Sequence, residues 1–128
     1  MSWVAASAEV RGWRWLGPAE LREDERWRLR RDDGARHLPD LGLVYDGHRV
    51  AVEVELQPKA PRRVQVILRG YRGLIDRGAL TAVTYVTDRP DVAALVRRES
   101  QAAMLSSALR VGPLATVIAT TRESGTRR

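Results

Sequence analysis

The clearest pattern in the chain is a pair of short segments on either side of an Asp-Gly dipeptide. Residues 41–45 are mostly apolar, and residues 49–56 alternate strictly, with valine or leucine at the even positions. Between them lie Asp46 and Gly47, a strong signal for a two-residue turn because glycine accepts positive φ without steric cost. The pattern predicts a β-hairpin with one apolar face.

Helical spacing replaces alternation after the hairpin. Residues 61–77 carry an apolar stripe at spacings of three and four, beginning at Pro61 and ending before Gly78, which predicts a helix. The stripe consists of Val64, Ile67, Leu68, Tyr71, Leu74 and Ile75. Residues 80–87 then predict a buried strand, residues 90–109 a helix and residues 114–120 a last strand.

The first third of the chain has a weaker pattern. Residues 12–16 predict a short strand, and Pro18 opens a predicted helix that ends at residues 32–34. A hairpin followed by β–α–β units implies an α/β fold, a mixed central β-sheet flanked by helices. We expect residues 1–121 to form a single domain and residues 122–128 a disordered basic tail.

The hairpin register brings acidic residues together. With a two-residue loop, Leu43 faces Val50, and further out Asp40 faces Glu53 on a shared face of the sheet. Glu55 lies on that face two residues along, so three carboxylates are predicted to converge. Gly42 faces Ala51 beside them, so we expect room at this position.

Carboxylates that face each other repel, and something should offset the repulsion. Mg²⁺ (or Mn²⁺) is the natural candidate, since a hard cation takes one or two carboxylates plus water and substrate phosphate. Asp40 and Glu53 are the predicted metal ligands. The alternative is an exposed acidic strand face balanced by nearby arginines, and a three-residue loop would also undo the pairing.

Composition narrows the class of function. The net charge is +6 and the pI about 10.9, which favours a polyanionic partner, nucleic acid first, although a basic surface also serves solubility. The absence of cysteine excludes disulfides, thiolate metal sites and a cysteine nucleophile. Neither a membrane span nor a signal peptide is predicted, so we expect a cytoplasmic protein. The chain contains 21 arginines and a single lysine, Lys59.

A family resemblance rests on these residues. His37-Leu-Pro-Asp40, followed by Glu53-Val-Glu55 and then Lys59, resembles the "PD … ExE … K" signature of PD-(D/E)XK nuclease-like domains. Within that group it is similar to the C-terminal domain of actinobacterial plasmid replication-relaxation proteins. Element order extends the resemblance over residues 18–120, whereas the motif covers residues 37–72.

The resemblance implies a restriction-endonuclease-like core and catalytic roles. Asp40 and Glu53 match the metal-binding acids. Glu55 stands where the family usually has lysine, an exchange that some active restriction endonucleases share, and Lys59 is a candidate displaced lysine. Either Glu55 or Lys59 would orient or deprotonate a water, or Lys59 would stabilise charge on the phosphate.

The residues around the motif extend the predicted site. Four arginines of the following helix are candidate phosphate contacts, or else a solvated helix face: Arg62, Arg63, Arg69 and Arg72. His37 either lines the site or is structural, and we favour the structural role. An acid of the first helix sometimes joins such sites, with Glu20 and Glu23 as candidates.

Three hypotheses follow from the sequence. The first is a metal-dependent DNA endonuclease linked to plasmid or mobile-element replication. The second is a nuclease-fold module that binds DNA or a replication protein without cutting, and the third is a purely structural domain. Glu55 in the lysine position favours the second, as does the expected lack of the winged-helix region that precedes the family domain. A homodimer is left open.

Overall fold

The computed structural model describes residues 14–31 and 34–113. The predictions for the strand at residues 114–120 and for the basic tail lie outside the described residues. Among the residues that are described, no helix is both long enough and apolar enough to cross a membrane.

The described residues form seven strands and three α-helices. The strands are β1 (Arg14–Leu16), β2 (Leu29–Arg30), β3 (Arg36–His37), β4 (Leu41–Tyr45), β5 (His48–Val54), β6 (Ala82–Val86) and β7 (Leu109–Gly112). The helices are α1 (Pro18–Arg22), α2 (Pro61–Asp76) and α3 (Pro90–Ala102). A five-stranded sheet has the order β1-β4-β5-β6-β7, and β2 pairs with β3 in a separate small sheet.

The larger sheet is mixed, as predicted. Strands β1, β4 and β5 are antiparallel, whereas β5, β6 and β7 are parallel because α2 and α3 carry the chain back between them. The prediction of an α/β fold with a mixed sheet flanked by helices is confirmed. This arrangement puts the end of β5, where the acids lie, next to the start of α2.

The main core lies between the sheet and the two long helices. Ala51, Val83 and Tyr85 of the sheet pack against the apolar stripe of α2, which is buried as its spacing predicts. The other face of the sheet holds two small clusters built around Val50 and Val52. The odd positions of β5 therefore face the helices and the even positions face away.

The hairpin forms with the predicted turn and register. Asp46 and Gly47 have φ angles of 46° and 76°, the left-handed pair that a type I′ turn requires. Leu43 pairs with Val50 and Leu41 with Val52, which confirms the predicted matching of the apolar positions. The paired register ends at Leu41 and Val52, and Asp40 directly precedes β4 rather than pairing with Glu53 in the ladder.

The prediction of one helix from Pro18 to residues 32–34 is wrong. The helix ends at Arg22, and Asp24 then caps a short 3₁₀ turn by accepting a hydrogen bond from the Arg26 amide at 3.0 Å. Leu21, Trp27 and Leu29 are all fully buried. A continuous helix would place Trp27 and Leu29 about 240° and 80° around its axis from Leu21, so the three could not share one buried face.

The prediction that α3 extends to residue 109 is also wrong. Met104 adopts a φ of 59°, and the Leu105 amide donates back to the Ser100 carbonyl at 2.8 Å, a helix-ending bond pattern. The signal is missing from the sequence because the left-handed position is usually glycine. Leu109 belongs instead to β7, where it pairs with Val83.

Candidate metal-binding site at the end of the β4–β5 hairpin

Glu53 is the centre of the candidate site. It is an odd position of β5 and therefore faces α2, and only 6% of its surface is exposed. The Tyr71 hydroxyl donates to Oε2 of Glu53 at 2.5 Å, and Nε2 of His37 lies 2.6 Å from the same oxygen. Both contacts fall on Oε2, which leaves Oε1 for a further ligand.

Asp40 directly precedes β4 and lies beside the end of β5. Its amide donates to the Val52 carbonyl at 3.1 Å, and its Oδ2 accepts from the Val54 amide at 2.7 Å. The carboxylate thus takes the place of a backbone acceptor at the end of β5. Asp40 is exposed, so its second oxygen is open to solvent.

Burial dominates the electrostatics of the pair. Desolvation raises the pKa of Glu53 above its ordinary value, the bonds from His37 and Tyr71 lower it, and the charge of Asp40 raises it again. Burial also holds the pKa of Tyr71 well above 10, so its hydroxyl remains a donor at neutral pH. A cation beside Asp40 and Glu53 would therefore relieve both desolvation and repulsion.

Glu55 and Lys59 form an ion pair at the start of the loop that follows β5. The predicted displaced lysine thus reaches the motif, but its ammonium group lies on the Glu55 carboxylate. The charges of Glu53, Glu55 and Asp40 all add to the effect of burial in raising the pKa of Tyr85. Even so, within residues 14–31 and 34–113 no group of three or more His, Asp or Glu side chains is placed to hold a metal ion.

The expectation of open space beside Gly42 is wrong. A Cβ atom at Gly42 would lie 2.8 Å from Cδ2 of Leu21 and 2.9 Å from Cη2 of Trp27. Residue 42 must be small because α1 and the 3₁₀ turn pack closely onto β4. The alternative of a solvated acidic strand face is likewise wrong for Glu53, because that side chain is buried.

The four arginines predicted to contact phosphate differ in their surroundings. Arg62 and Arg63 are exposed in the first turn of α2, directly after the loop that carries Lys59. Arg69 is exposed nearly two turns further along the helix. Arg72 is held at Nε by Asp76 at 3.0 Å and at Nη1 by the Ala103 carbonyl at 2.9 Å, so it joins α2 to the end of α3.

Sequence reasoning missed the environment of Glu53. The pattern places Tyr71 in the apolar stripe of α2 and favours a structural role for His37, yet both bond to Glu53. Their rings also meet edge to face, with centroids 6.2 Å apart. The available signal was the hydroxyl on an otherwise apolar stripe, since a buried tyrosine usually needs a hydrogen-bond partner.

The donor atoms that are present fit Mg²⁺ as a two-carboxylate site. Asp40, which directly precedes β4, and Glu53 of β5 offer hard oxygen ligands, and one oxygen of Glu53 is not used by His37 or Tyr71. Mg²⁺ is commonly held by one or two carboxylates with water and substrate phosphate completing the shell. The fit therefore depends on a phosphate-bearing substrate.

Comparisons of the chain with protein-family models, with curated proteins and with solved structures found no match.

Proposed function

We propose that the chain is a nuclease-fold domain in which Asp40 and Glu53 hold a divalent cation against a DNA phosphodiester. The observation that carries the proposal is the buried Glu53 beside Asp40, whose carboxylate accepts a hydrogen bond from the amide of Val54, the residue after Glu53, at 2.7 Å. A buried carboxylate with a second carboxylate beside it is costly unless a proton or a cation offsets the charge. Residues whose pKa is shifted by burial and by a nearby charge are concentrated at functional sites.

The proposal gives each residue a distinct role. Asp40 and Glu53 would be the cation ligands, and the chemistry that Mg²⁺ supplies when bound is charge neutralisation at the scissile phosphate and activation of water. His37 and Tyr71 would fix the orientation of Glu53 through its Oε2. Glu55, held in place by Lys59, would accept a proton from the attacking water.

The surrounding charge supports DNA as the substrate. Arg62 and Arg63 are exposed on the first turn of α2, three residues beyond Lys59. The chain carries a net charge of +6, which attracts a polyanion without sequence preference. The resemblance to the replication-relaxation proteins suggests a role in plasmid or mobile-element replication for this activity.

One observation favours a second candidate, a module that binds DNA or a replication protein without cutting it. Lys59 is committed to Glu55, so the lysine that resembles the family's catalytic residue does not point at a phosphate. In that case the Glu53 site would be a structural remnant stabilised by His37 and Tyr71.

The experiment that separates the two is a plasmid-nicking assay. Supercoiled plasmid is incubated with the protein and Mg²⁺ or Mn²⁺, alongside Asp40→Ala, Glu53→Ala and, as a control, Asp46→Asn, which removes an exposed acid at the other end of the hairpin and keeps its turn. We expect metal-dependent nicking that is lost in the first two variants and kept in the third. DNA binding without nicking would support the binding module, and nicking that survives both substitutions would refute the assigned site.

A further inference from the structure

A second polar feature lies away from the acids, where the small β2–β3 sheet meets the C-terminal end of α2. A cavity of about 400 Å³ is lined there by Glu25, Arg28, Leu29, Arg30, Arg36 and Arg77. Four of the six lining residues are arginines and one is an acid. The volume lies within the range of small-molecule and nucleotide sites.

The arginines of this cavity differ from four others on the described surface, although Arg62 and Arg63 likewise lack an ion pair with a described residue. Arg26, Arg72, Arg89 and Arg98 each form an ion pair with a neighbouring acid. None of the four cavity arginines forms an ion pair with a described residue. Among the described lining residues, four positive charges therefore meet the single negative charge of Glu25.

The small sheet forces two of these charges together. Arg30 lies directly opposite Arg36 in the β2–β3 pairing. Like charges that face each other across a ladder are destabilising. The backbone cannot relax away from this arrangement easily, because Leu29 beside Arg30 is fully buried in the core.

The remaining two arginines are placed by separate elements. Arg28 is fixed by a bond from its Nη2 to the Arg22 carbonyl at 2.9 Å, which leaves its other donors able to point elsewhere. Arg77 directly follows α2 and is the C-cap residue of that helix. Charges from three segments of the chain thus converge on one cavity, and an anion is the ligand that offsets their repulsion.

The chemistry of the lining selects phosphate. Guanidinium groups offer planar pairs of donors that match two oxygens of a phosphate group, and they stay charged at every physiological pH. An uncharged ligand would leave the repulsion between Arg30 and Arg36 in place. A phosphate group would accept hydrogen bonds from both and reduce the repulsion between them.

We infer that this cavity is a phosphate-binding subsite that takes backbone phosphates of the DNA strand whose cleavage site lies at Asp40 and Glu53. Strand β3 runs between the two places: Arg36 lines the cavity on one face, and the next residue, His37, points to the opposite face and bonds to Glu53. The inference rests on the proposed function for the identity of the ligand as DNA. Phosphate binding itself requires neither a metal nor cleavage.

The test measures binding of the full chain to fluorescein-labelled single-stranded and duplex DNA by anisotropy, in EDTA, over a series of salt concentrations. The variants are Arg36→Gln/Arg77→Gln and the control Arg89→Gln/Arg98→Gln, which removes the same charge from α3 and the residue before it. We expect the first pair to weaken binding about a hundredfold, roughly tenfold for each charged group removed. The binding constant should also depend less steeply on salt. The slope of its logarithm against the logarithm of salt concentration should decrease in size by about 0.9 for each duplex phosphate that the variant no longer neutralises.

Two further measurements make the result independent of whether a variant folds. Arg36→Lys/Arg77→Lys keeps the charge and should recover most of the salt dependence. In the unsubstituted protein, DNA should protect Arg36 and Arg77 from phenylglyoxal, read by mass spectrometry, whereas dAMP and inorganic phosphate should protect them only at far higher concentration.

Equal weakening in the cavity and control variants would overturn the inference, because binding would then depend on net charge alone. Protection by dAMP or inorganic phosphate but not by DNA would also overturn it, in favour of a free phosphate ligand. Because EDTA removes divalent cations, these results are separate from the nicking assay. A cavity that binds DNA in a protein that does not nick would refute only the proposed cleavage.

Discussion

Replacing Glu53 with glutamine should stabilise the protein and remove a specific part of its pH dependence. Glutamine keeps the shape of the side chain, an acceptor for the Tyr71 hydroxyl and a polar group for His37. It removes the charge that is costly in a site only 6% exposed. It also removes the repulsion from Asp40, which contributes to the raised pKa of Glu53.

The sign follows from proton binding. The pKa of Glu53 in the folded protein lies above its ordinary value of 4.5, so over that interval the folded state binds more protons than the unfolded state. The stability that comes from the protonated carboxyl is fully present below the ordinary value. It is lost as the pH rises through the folded value, and above that pH the wild-type protein bears the full cost of the buried charge.

The magnitude can be worked from this linkage. Every tenfold change in the Glu53 ionisation constant on folding changes the free energy of unfolding by about 1.4 kcal/mol. For a chain of this size, that corresponds to about 6 °C in the melting temperature. We therefore expect Glu53→Gln to match the wild type at acid pH and to melt at a higher temperature than the wild type at pH 8.

The assay is thermal unfolding followed by circular dichroism between pH 4 and pH 9, in EDTA. Glu23→Gln is the control, because it makes the same chemical change at an exposed position on the same domain. A difference between Glu53→Gln and wild type that stays constant with pH would refute the reasoning. So would a Glu53→Gln variant that is less stable throughout.

Three other predictions test the surroundings of the site. Tyr71→Phe should cost about 1.5–3 kcal/mol by urea unfolding at pH 8, because it removes a bond to a charged acceptor, and an unchanged midpoint would show that the hydroxyl does not support Glu53. Asp40→Asn should raise the melting temperature in EDTA at pH 8 by relieving repulsion, and a neutral or lower value would mean that the two acids do not crowd each other. Gly42→Ala should lower the free energy of unfolding by about 1–3 kcal/mol in urea, since the added methyl overlaps Trp27. A neutral result would show that this packing is loose.

Local chemistry explains why the hairpin could be predicted and other elements could not. The Asp46-Gly47 turn and the alternation of β5 act within a few residues, and they determine the register as far as Leu41 and Val52, which brings Asp40 beside the end of β5. The helix at residues 90–109 is predicted too long because its end depends on a left-handed Met104, which no local signal marks. The helix after Pro18 fails because burial of Trp27 by distant elements outweighs local helix propensity.

The candidate site, too, was only partly predictable from local sequence. The sequence brought Asp40 close to the end of β5, because strand pairing with a period of two is a local property. It could not show that Glu53 is buried, since the groups that cover it, His37 and Tyr71, come from β3 and α2. Nor could it group Arg30 and Arg36 with Arg77 around one cavity.

What the sequence determined by itself is the hairpin, the apolar stripe of α2 and the succession of elements that makes a mixed sheet. Each follows from interactions between residues close along the chain. Only the tertiary structure decided how far Glu53 is buried, which hydrogen bonds it accepts and which arginines share a cavity. Those properties depend on desolvation and on contacts between segments that the chain brings together only when it folds.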